Sequence, residues 1–538
     1  MNIEPIIYSL AKTGIIMVLG TSFALSQDDV PGFIEGKREY SPSPEQDFPN
    51  QVLFGDAHVH TSFSPDAGMI GNKLGPDEAY RFAKGETVTS SMGLKVRLNR
   101  PLDWKAITDH AEGLGFAPLI VESSPKVLDT EFGRKLHALF EEGTAEAAGE
   151  AWNLWAGSKF EKKNPYSDNQ EIAKEPWERI IAAAEAATVP GSFTALIGFE
   201  WSSTPGGKNL HRVVLYRDGA EVAKQRVPLT NSDTKSDPES LWDWMEGLMK
   251  DTGGKVLAIP HNGNLSNGLM FADTRYTSGE PIDNAYAARR QRLEPLYEVT
   301  QMKGDGEAHP FLSPDDEFAD FETWDSASFG AEPKTKEMLP NEYAREALKL
   351  GLAHEARLGT NPFKFGLIGS TDSHTSLSTT AENNFFGKVT QLEPTADPVR
   401  FEEFIAGRLG EESIQIQARR TSASGLTAVW ARTNTREEVW DALARKEVYA
   451  TTGTRLKVRV FAGFDFAEED LVRSDFAKHG YDKGVPMGGD LTKSEKAPSF
   501  LIRAIRDADG ANLDRAQIIK GWLCLLYTSP SPRDISAY

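Results

Sequence analysis

Four times along the chain the same order recurs: a helix-forming segment, a short apolar run, then a residue able to hold a proton or a cation. PDEAYRFAKG, opened by Pro76 and closed by Gly85, precedes an irregular stretch, then WKAIT and Asp109-His110. PWERIIAAAEAA starts at Pro176 and leads through Pro190-Gly191 to FTALIGF and Glu200. DPESLWDWMEGLMKD opens at Asp237-Pro238 and stops near Gly253-Gly254, after which KVLAIP delivers His261. NEYAREALKLGLAHEARLG, from Asn341, precedes FKFGLIGS and Asp372-Ser373-His374. Proline at a start and glycine past an end punctuate helices. Runs as apolar as KVLAIP predict strands buried on both faces, as in a parallel sheet wrapped by helices. Polar residues at the C-terminal ends of such strands place a site on one rim, as in a β/α barrel, although an open doubly wound sheet would gather them on the same edge. No glycine-rich phosphate loop of the G-x-G-x-x-G or G-x-x-x-x-G-K kind occurs in a βα turn, which counts against nucleotide-binding folds.

At 538 residues the chain exceeds one core, which predicts two or three domains or one large barrel with an appendage. Residues 118–175 are helix-rich and read as an insertion over one face. REEVWDALARKEVYATTG predicts a helix and then a strand. LKVRVFAGF predicts a strand, and APSFLIRAIRDADGANLDRAQIIKGW two strands around a turn containing Asp509-Gly510. The expected division is therefore a barrel over 51–454 and a small, incomplete β-rich module over 455–523. Lys12 precedes the apolar run IIMVLGTSFALS, and Ala24-Leu25-Ser26 has the small-x-small form of a cleavage site. Residues 1–26 thus read as an export signal, with 27–50 a linker, and the protein is expected in the periplasm or secreted. A buried N-terminal helix is the other reading. The run is too short for a comfortable membrane span, so no stable membrane insertion is expected. CLLYTSPSPRD back-translates into a transposase adapter used in shotgun sequencing. Residues 524–538 are expected to be read-through and Cys524, the single cysteine, non-native, which leaves no disulfide. A formal charge of −20 offers no basic footprint for nucleic acid. It does not exclude an anionic substrate, because bound cations invert the local field.

The densest chemistry lies in DAHVHTSFSPDAG. His58 and His60 stand at i and i+2, so in a strand both face one side, and Asp66 lies in a turn that can fold back over them. Asp109-His110 reads as a strand-end cap or as a ligand pair. Glu200 follows mostly apolar residues, and burying its carboxylate costs several kcal/mol unless an arginine or a metal answers it. His261 sits in AIPHNGN, His309 in the polar loop GDGEAHP, and Asp372-x-His374 repeats the i, i+2 pattern. Seven of the ten histidines, at 58, 60, 110, 211, 261, 309 and 374, stand beside turns or at expected strand ends; His137, His354 and His479 read as solvated helix or loop positions. Nitrogen and oxygen ligands without sulfur suit Zn, Mn or Fe. Their number exceeds one tetrahedral site, so two or three divalent ions sharing a carboxylate are expected.

DAHVHTSFSPDAG, AITDHAE, IGFEWS, AIPHNGN and GSTDSH together resemble the ordered motifs of the PHP (polymerase and histidinol phosphatase) superfamily. With GKNLHRVVLYRD, TSASGLTAVWA, EVYATTGTRL, GVPMGGDL and DGANLDRAQIIKGW, they are similar to its exported branch, DUF3604. The resemblance runs from about Gln51 to Trp522. It implies an α/β fold, a distorted seven-stranded (β/α) barrel with a two- or three-metal centre, and metal-dependent hydrolysis, most often of phosphate esters. Carried residue by residue, it puts His58, His60, Glu200 and Asp372 around one ion. Glu200 bridges to a second ion held by His261 and His309, and a third takes His110 and His374 with Asp66 alongside. The sequence around His309 departs from the family pattern. His211-Arg212 is not a general ligand motif of the superfamily; His211 reads as a packed strand residue or as a positive charge facing a substrate anion. On this reading an ion-activated hydroxide attacks, His211 or a neighbouring acid protonates the leaving oxygen, and Arg212, Lys208 or Asn262 hold the other phosphate oxygens. The substrate is then a small anionic phosphate ester. Hydrolysis of C–N or carboxylic ester bonds is an alternative, and a non-catalytic periplasmic metal-binding or interaction protein is another.

Overall fold

The computed structural model describes residues 48–160, 166, 169–231, 236–325, 328, 332–396, 398, 400, 421 and 424–524. The expected export signal and adapter-like tail, apart from Cys524, lie outside them. The described strands are β1 (Gln51–Asp56), the hairpin β2 (Val88–Thr89) and β3 (Lys95–Val96), β4 (Trp104–Ile107), β5 (Thr194–Trp201), β6 (Arg212–Tyr216), β7 (Val256–Pro260), β8 (Leu296–Gln301), β9 (Gly304–Asp305), β10 (Gly366–Gly369), β11 (Leu426–Ala431), β12 (Val448–Thr451), β13 (Lys457–Gly463), β14 (Gly484–Pro486) and β15 (Ser499–Ile505).

Seven strands form a curled half-barrel sheet in the order β12-β11-β1-β4-β5-β6-β7. β1, β4 and β5 are parallel, as expected from their apolar runs. The expectation of an all-parallel sheet fails at β6, a strand the helix–strand alternation passes over: it runs antiparallel between β5 and β7. The cause is the short link from Trp201 to Arg212, which has no crossover helix; a parallel return needs a longer connection. β11 is likewise antiparallel to β1. β8 pairs in parallel with β10 in a second sheet. Isolated bridges carry the curl onward, His261 to Glu298 after β7 and Val59 to Ser373 between the continuations of β1 and β10.

Alternation along the strands separates two cores. Val213 and Leu215 of β6 join Leu53, Trp104, Leu196, Leu257 and Leu296 inside the curl. Val214 and Tyr216 join Trp177, Ile180, Trp242 and Met245 beneath the outer helices. Helix Pro238–Thr252 shows how the local code works: Asp237 caps it by accepting from Glu239 N, and Gly253 at φ 73° ends it. The helix expected to start at Pro176 instead spans Gln170–Ala187. Asn169 caps it by accepting from the N–H groups of Glu171 and Ile172, which leaves Pro176 inside. There the proline ring lies against Gly115, where a Cβ would meet it at 2.2 Å.

Residues 116–160 hold four helices around Phe116, Leu136, Ala151 and Trp155. Towards the C-terminus, β14, β13 and β15 form an antiparallel sheet over Phe461, Phe476 and Leu501. The second strand expected after Asp509-Gly510 does not form, and residues 511–524 carry no regular structure. Asp507 accepts from Arg455 N at 2.6 Å and pairs with Arg100, which ties the turn to the 100–101 loop and away from β15. No helix among the described residues is long and apolar enough to cross a membrane.

Candidate metal centre

The site is a polar layer on the inner core. On β5, β6, β7 and β8 the faces that carry Leu196, Val213, Ile259 and Leu296 inward continue to Glu200, His211, His261 and Glu298. Because β6 is antiparallel, His211 arrives just before its strand, where Glu200 and His261 lie at the ends of theirs and Glu298 within β8. Past β1 the chain runs extended beside the continuation of β10: Asp372 N donates to His58 O at 2.8 Å and His60 N to Ser373 O at 2.9 Å. Asp56 clamps the two segments, accepting from Thr371 N at 3.0 Å and Thr371 Oγ1 at 2.6 Å. His58 and His60 both enter the site, as their spacing predicts.

Glu200, 1% exposed, is the hub. Its Oε2 lies 3.1 Å from His58 Nε2, 3.2 Å from His60 Nε2 and 3.5 Å from His110 Nδ1. Its Oε1 lies 2.5 Å from His211 Nδ1 and 3.0 Å from His261 Nε2. Burial pushes the Glu200 carboxyl up, but His110, His261 and His211 together hold it well below the usual range. Burial lowers His211 to about 3 despite Glu200 beside it. Burial likewise lowers His374 to about 3. His60 goes the other way: its burial is outweighed by Asp66, Asp372 and Glu200, which raise it to about 9.

Among the described residues, four groups have nitrogen and oxygen atoms all within 4.8 Å of one another: His58, His60 and Glu200; His58, His261 and Glu298; His60, Asp66 and His374; His110, Glu200 and His211. These residues fit divalent cations. His58 Nε2 and His60 Nε2 are 3.1 Å apart and aim at one carboxylate oxygen, an arrangement one proton cannot satisfy. His261 Nδ1 is buried with no hydrogen-bond partner among the described residues. Second nitrogens are oriented in the way metal ligands require: His60 Nδ1 meets Ser64 Oγ at 3.0 Å, His110 Nε2 meets Asp66 Oδ2 at 2.9 Å, and His211 Nε2 meets Thr204 Oγ1 at 2.8 Å.

Asp372 approaches the cluster through Oδ1, 3.1 Å from His60 Nε2, with His374 Nε2 also at 3.1 Å. Its backbone is in the left-handed region, φ 52°, as is that of Asn262, φ 51°; strain of this kind is retained where surrounding contacts over-determine it. Of the expected residues, the structure thus brings together His58, His60, Asp66, His110, Glu200, His211, His261, Asp372 and His374.

Four others stand differently. His309 is held in its own loop, Nε2 2.9 Å from Asp325 Oδ2 and Nδ1 accepting from Phe311 N. Arg212 lies on the opposite face of β6 from His211 and pairs with Glu294 at 3.0 Å beneath the outer helices. Lys208 pairs with Glu332 at 2.6 Å. Asn262 is buried and accepts from Gln301 Nε2 at 2.8 Å. His354, read as solvated, is buried with Nε2 2.9 Å from Asp273. The residue missed is Glu298, whose oxygens lie 3.2 Å from His58 Nδ1. Its signal was available, a carboxylate two residues after Leu296 in the otherwise apolar run LYEVT.

No curated protein is similar to this chain in sequence. A solved structure from Bacteroides vulgatus, of a two-domain protein containing a predicted PHP-like metal-dependent phosphoesterase, is similar at 10% identity, covering 87% of this chain and 92% of its own, with a TM-score of 0.30. Residues 47–525 match the model of DUF3604, a family described as a protein of unknown function, and the chain belongs to that family.

Proposed function

We propose that this protein is a metal-dependent hydrolase of phosphate esters, built on a distorted seven-stranded β/α barrel of PHP type and loaded with two or three ions of Zn, Mn or Fe. The observation that carries the reading is the convergence of five imidazoles on the two oxygens of Glu200, which is shared by two of the ligand groups. The path β1-β4-β5-β6-β7, its bridge to β8, the β8–β10 pairing and the return bridge from Ser373 to Val59 support the barrel.

In this reading His58, His60, Glu200, His261 and Glu298 hold neighbouring ions, with His110 and His211 forming a further group that shares Glu200 and Asp66 with His374 beside His60. When bound, such ions lower the pKa of water to about 7 and polarise a phosphoryl oxygen. The chain's own part is orientation and exclusion of bulk water. Ser64, Asp66 and Thr204 fix imidazole rings, and the apolar floor of Leu196, Val213 and Ile259 closes the site from below. His211, held between Glu200 and Thr204, serves as a ligand in this reading. The apolar run at 15–26 supports export to the periplasm or beyond, and the sheet of β13–β15 supports a separate β-rich module over 455–523.

The test is metal analysis of the purified protein with a panel of phosphomonoesters, phosphodiesters, amides and lactones, with and without chelator. Chelator-sensitive turnover of a phosphate ester is expected, and it should be lost in His58→Ala. Metal-free protein that still hydrolyses, or turnover confined to amides or lactones, refutes the proposal.

A further inference from the structure

Two ammonium groups converge on Asp372. Lys388 Nζ lies 2.8 Å from Oδ1 and also donates to the Asp372 carbonyl. Lys303 Nζ lies 2.6 Å from Oδ2, an oxygen that also accepts from Gln301 Nε2 at 2.6 Å. Beside a carboxylate expected from the sequence to hold a metal ion, lysines have no obvious use, since they repel the ions it would draw in. Beside a bound anion they do.

The two lysines are not equivalent. The Lys388 side chain is 4% exposed and doubly tied to Asp372, by carboxylate and carbonyl. Lys303 is 13% exposed and stands in the turn between β8 and β9, on the rim where the strand ends meet. Should Lys303 swing away, Asp372 keeps a donor on each oxygen: Lys388 on Oδ1 and Gln301 on Oδ2. Its four-carbon stem and three donors allow that movement. Of the cations expected from the sequence to hold phosphate, Arg212 is buried against Glu294 on the opposite face of β6, and Lys208 pairs with Glu332.

We infer that Lys303 is the residue that binds the anionic oxygens of the substrate's phosphoryl group at this rim, with Lys388 the fixed counter-ion of Asp372. This deepens the hydrolase reading and rests on it.

The experiment uses the metal-loaded full chain and its K303M, K303Q and K303R variants. Inorganic phosphate is titrated calorimetrically, bound metal is counted, and kcat and KM for p-nitrophenyl phosphate are measured. Loss of a charge-assisted contact predicts phosphate affinity about 10- to 100-fold weaker in K303M and K303Q. KM should rise by a similar factor, kcat should fall less, metal content should stay unchanged, and K303R should recover much of the affinity. Phosphate binding within twofold of wild type in K303M and K303Q overturns the inference, as does loss of metal together with phosphate, or wild-type protein that binds no phosphate. The two proposals fail separately. Wild type that hydrolyses an ester while the Lys303 variants match it sinks only the role of Lys303. Wild type that turns over no ester but loses phosphate binding on substitution of Lys303 sinks only the hydrolase.

Discussion

Replacing Glu200 by glutamine keeps the shape of the hub and removes its charge. Whichever way the amide sits, an N–H₂ replaces an acceptor: it faces His58, His60 and His110 at the Oε2 position or His211 and His261 at the Oε1 position. Two of the four ligand groups contain Glu200 and so lose their bridging anion, whereas His58–His261–Glu298 and His60–Asp66–His374 keep theirs. The expected result is a loss of at least one ion per chain, with some metal retained. Lewis-acid stabilisation is worth several kcal/mol, so the rate on a phosphate ester should fall by about a thousandfold or more. Elemental analysis after dialysis and steady-state kinetics on one preparation read both effects, and circular dichroism checks the fold. Glu200→Gln protein that keeps its full metal content and a rate within tenfold of wild type would refute the placing of Glu200 at the centre.

Glu298→Gln should weaken metal binding about 10- to 100-fold, whereas His309→Ala should leave it unchanged; competition with a chromogenic chelator compares them. Arg212→Met should cost about 3 kcal/mol of stability, because Glu294 is left buried with one cation fewer. Denaturant titration reads that loss, while kcat per folded molecule should hold, and a large fall in kcat would return Arg212 to the site. Asp305 is raised to about 7 by burial, with Glu307 adding to it. The folded state therefore binds a proton the unfolded state has released, so this group's contribution is full below about pH 4 and is lost as pH rises through 7. Asp305→Asn should flatten the stability profile over that window, and an unchanged profile would contradict the assignment.

Much of the site was legible because its candidate ligands sit where apolar runs end. Glu200, His261 and Asp372 each follow a run whose burial is written in its composition, and His58 with His60 needs only the two-residue period of an extended chain. Helix ends were legible for the same local reason, as at Asp237 and Gly253. What escaped depends on partners remote in sequence. Glu298 looks like a flaw in a strand until His58, 240 residues away, meets it. Arg212 and His211 are neighbours in sequence and part only because β6 is held between β5 and β7 with Arg212 opposite Pro260. Pro176 read as a start because the cap at Asn169 lies beyond a stretch without periodic pattern. Nor was it legible that Asp507, before the turn at Asp509, is tied to Arg100 across 407 residues.

The central claim is that these distant residues cage several cations around Glu200. Anomalous diffraction at the absorption edges of the metals found in the purified protein tests it most directly. The account predicts at least two peaks flanking the Glu200 carboxylate, with His58, His60, His261 or His110 nitrogens about 2.0–2.2 Å from them. A metal-replete crystal with no peak within reach of Glu200, or with a single ion bound elsewhere, would contradict it.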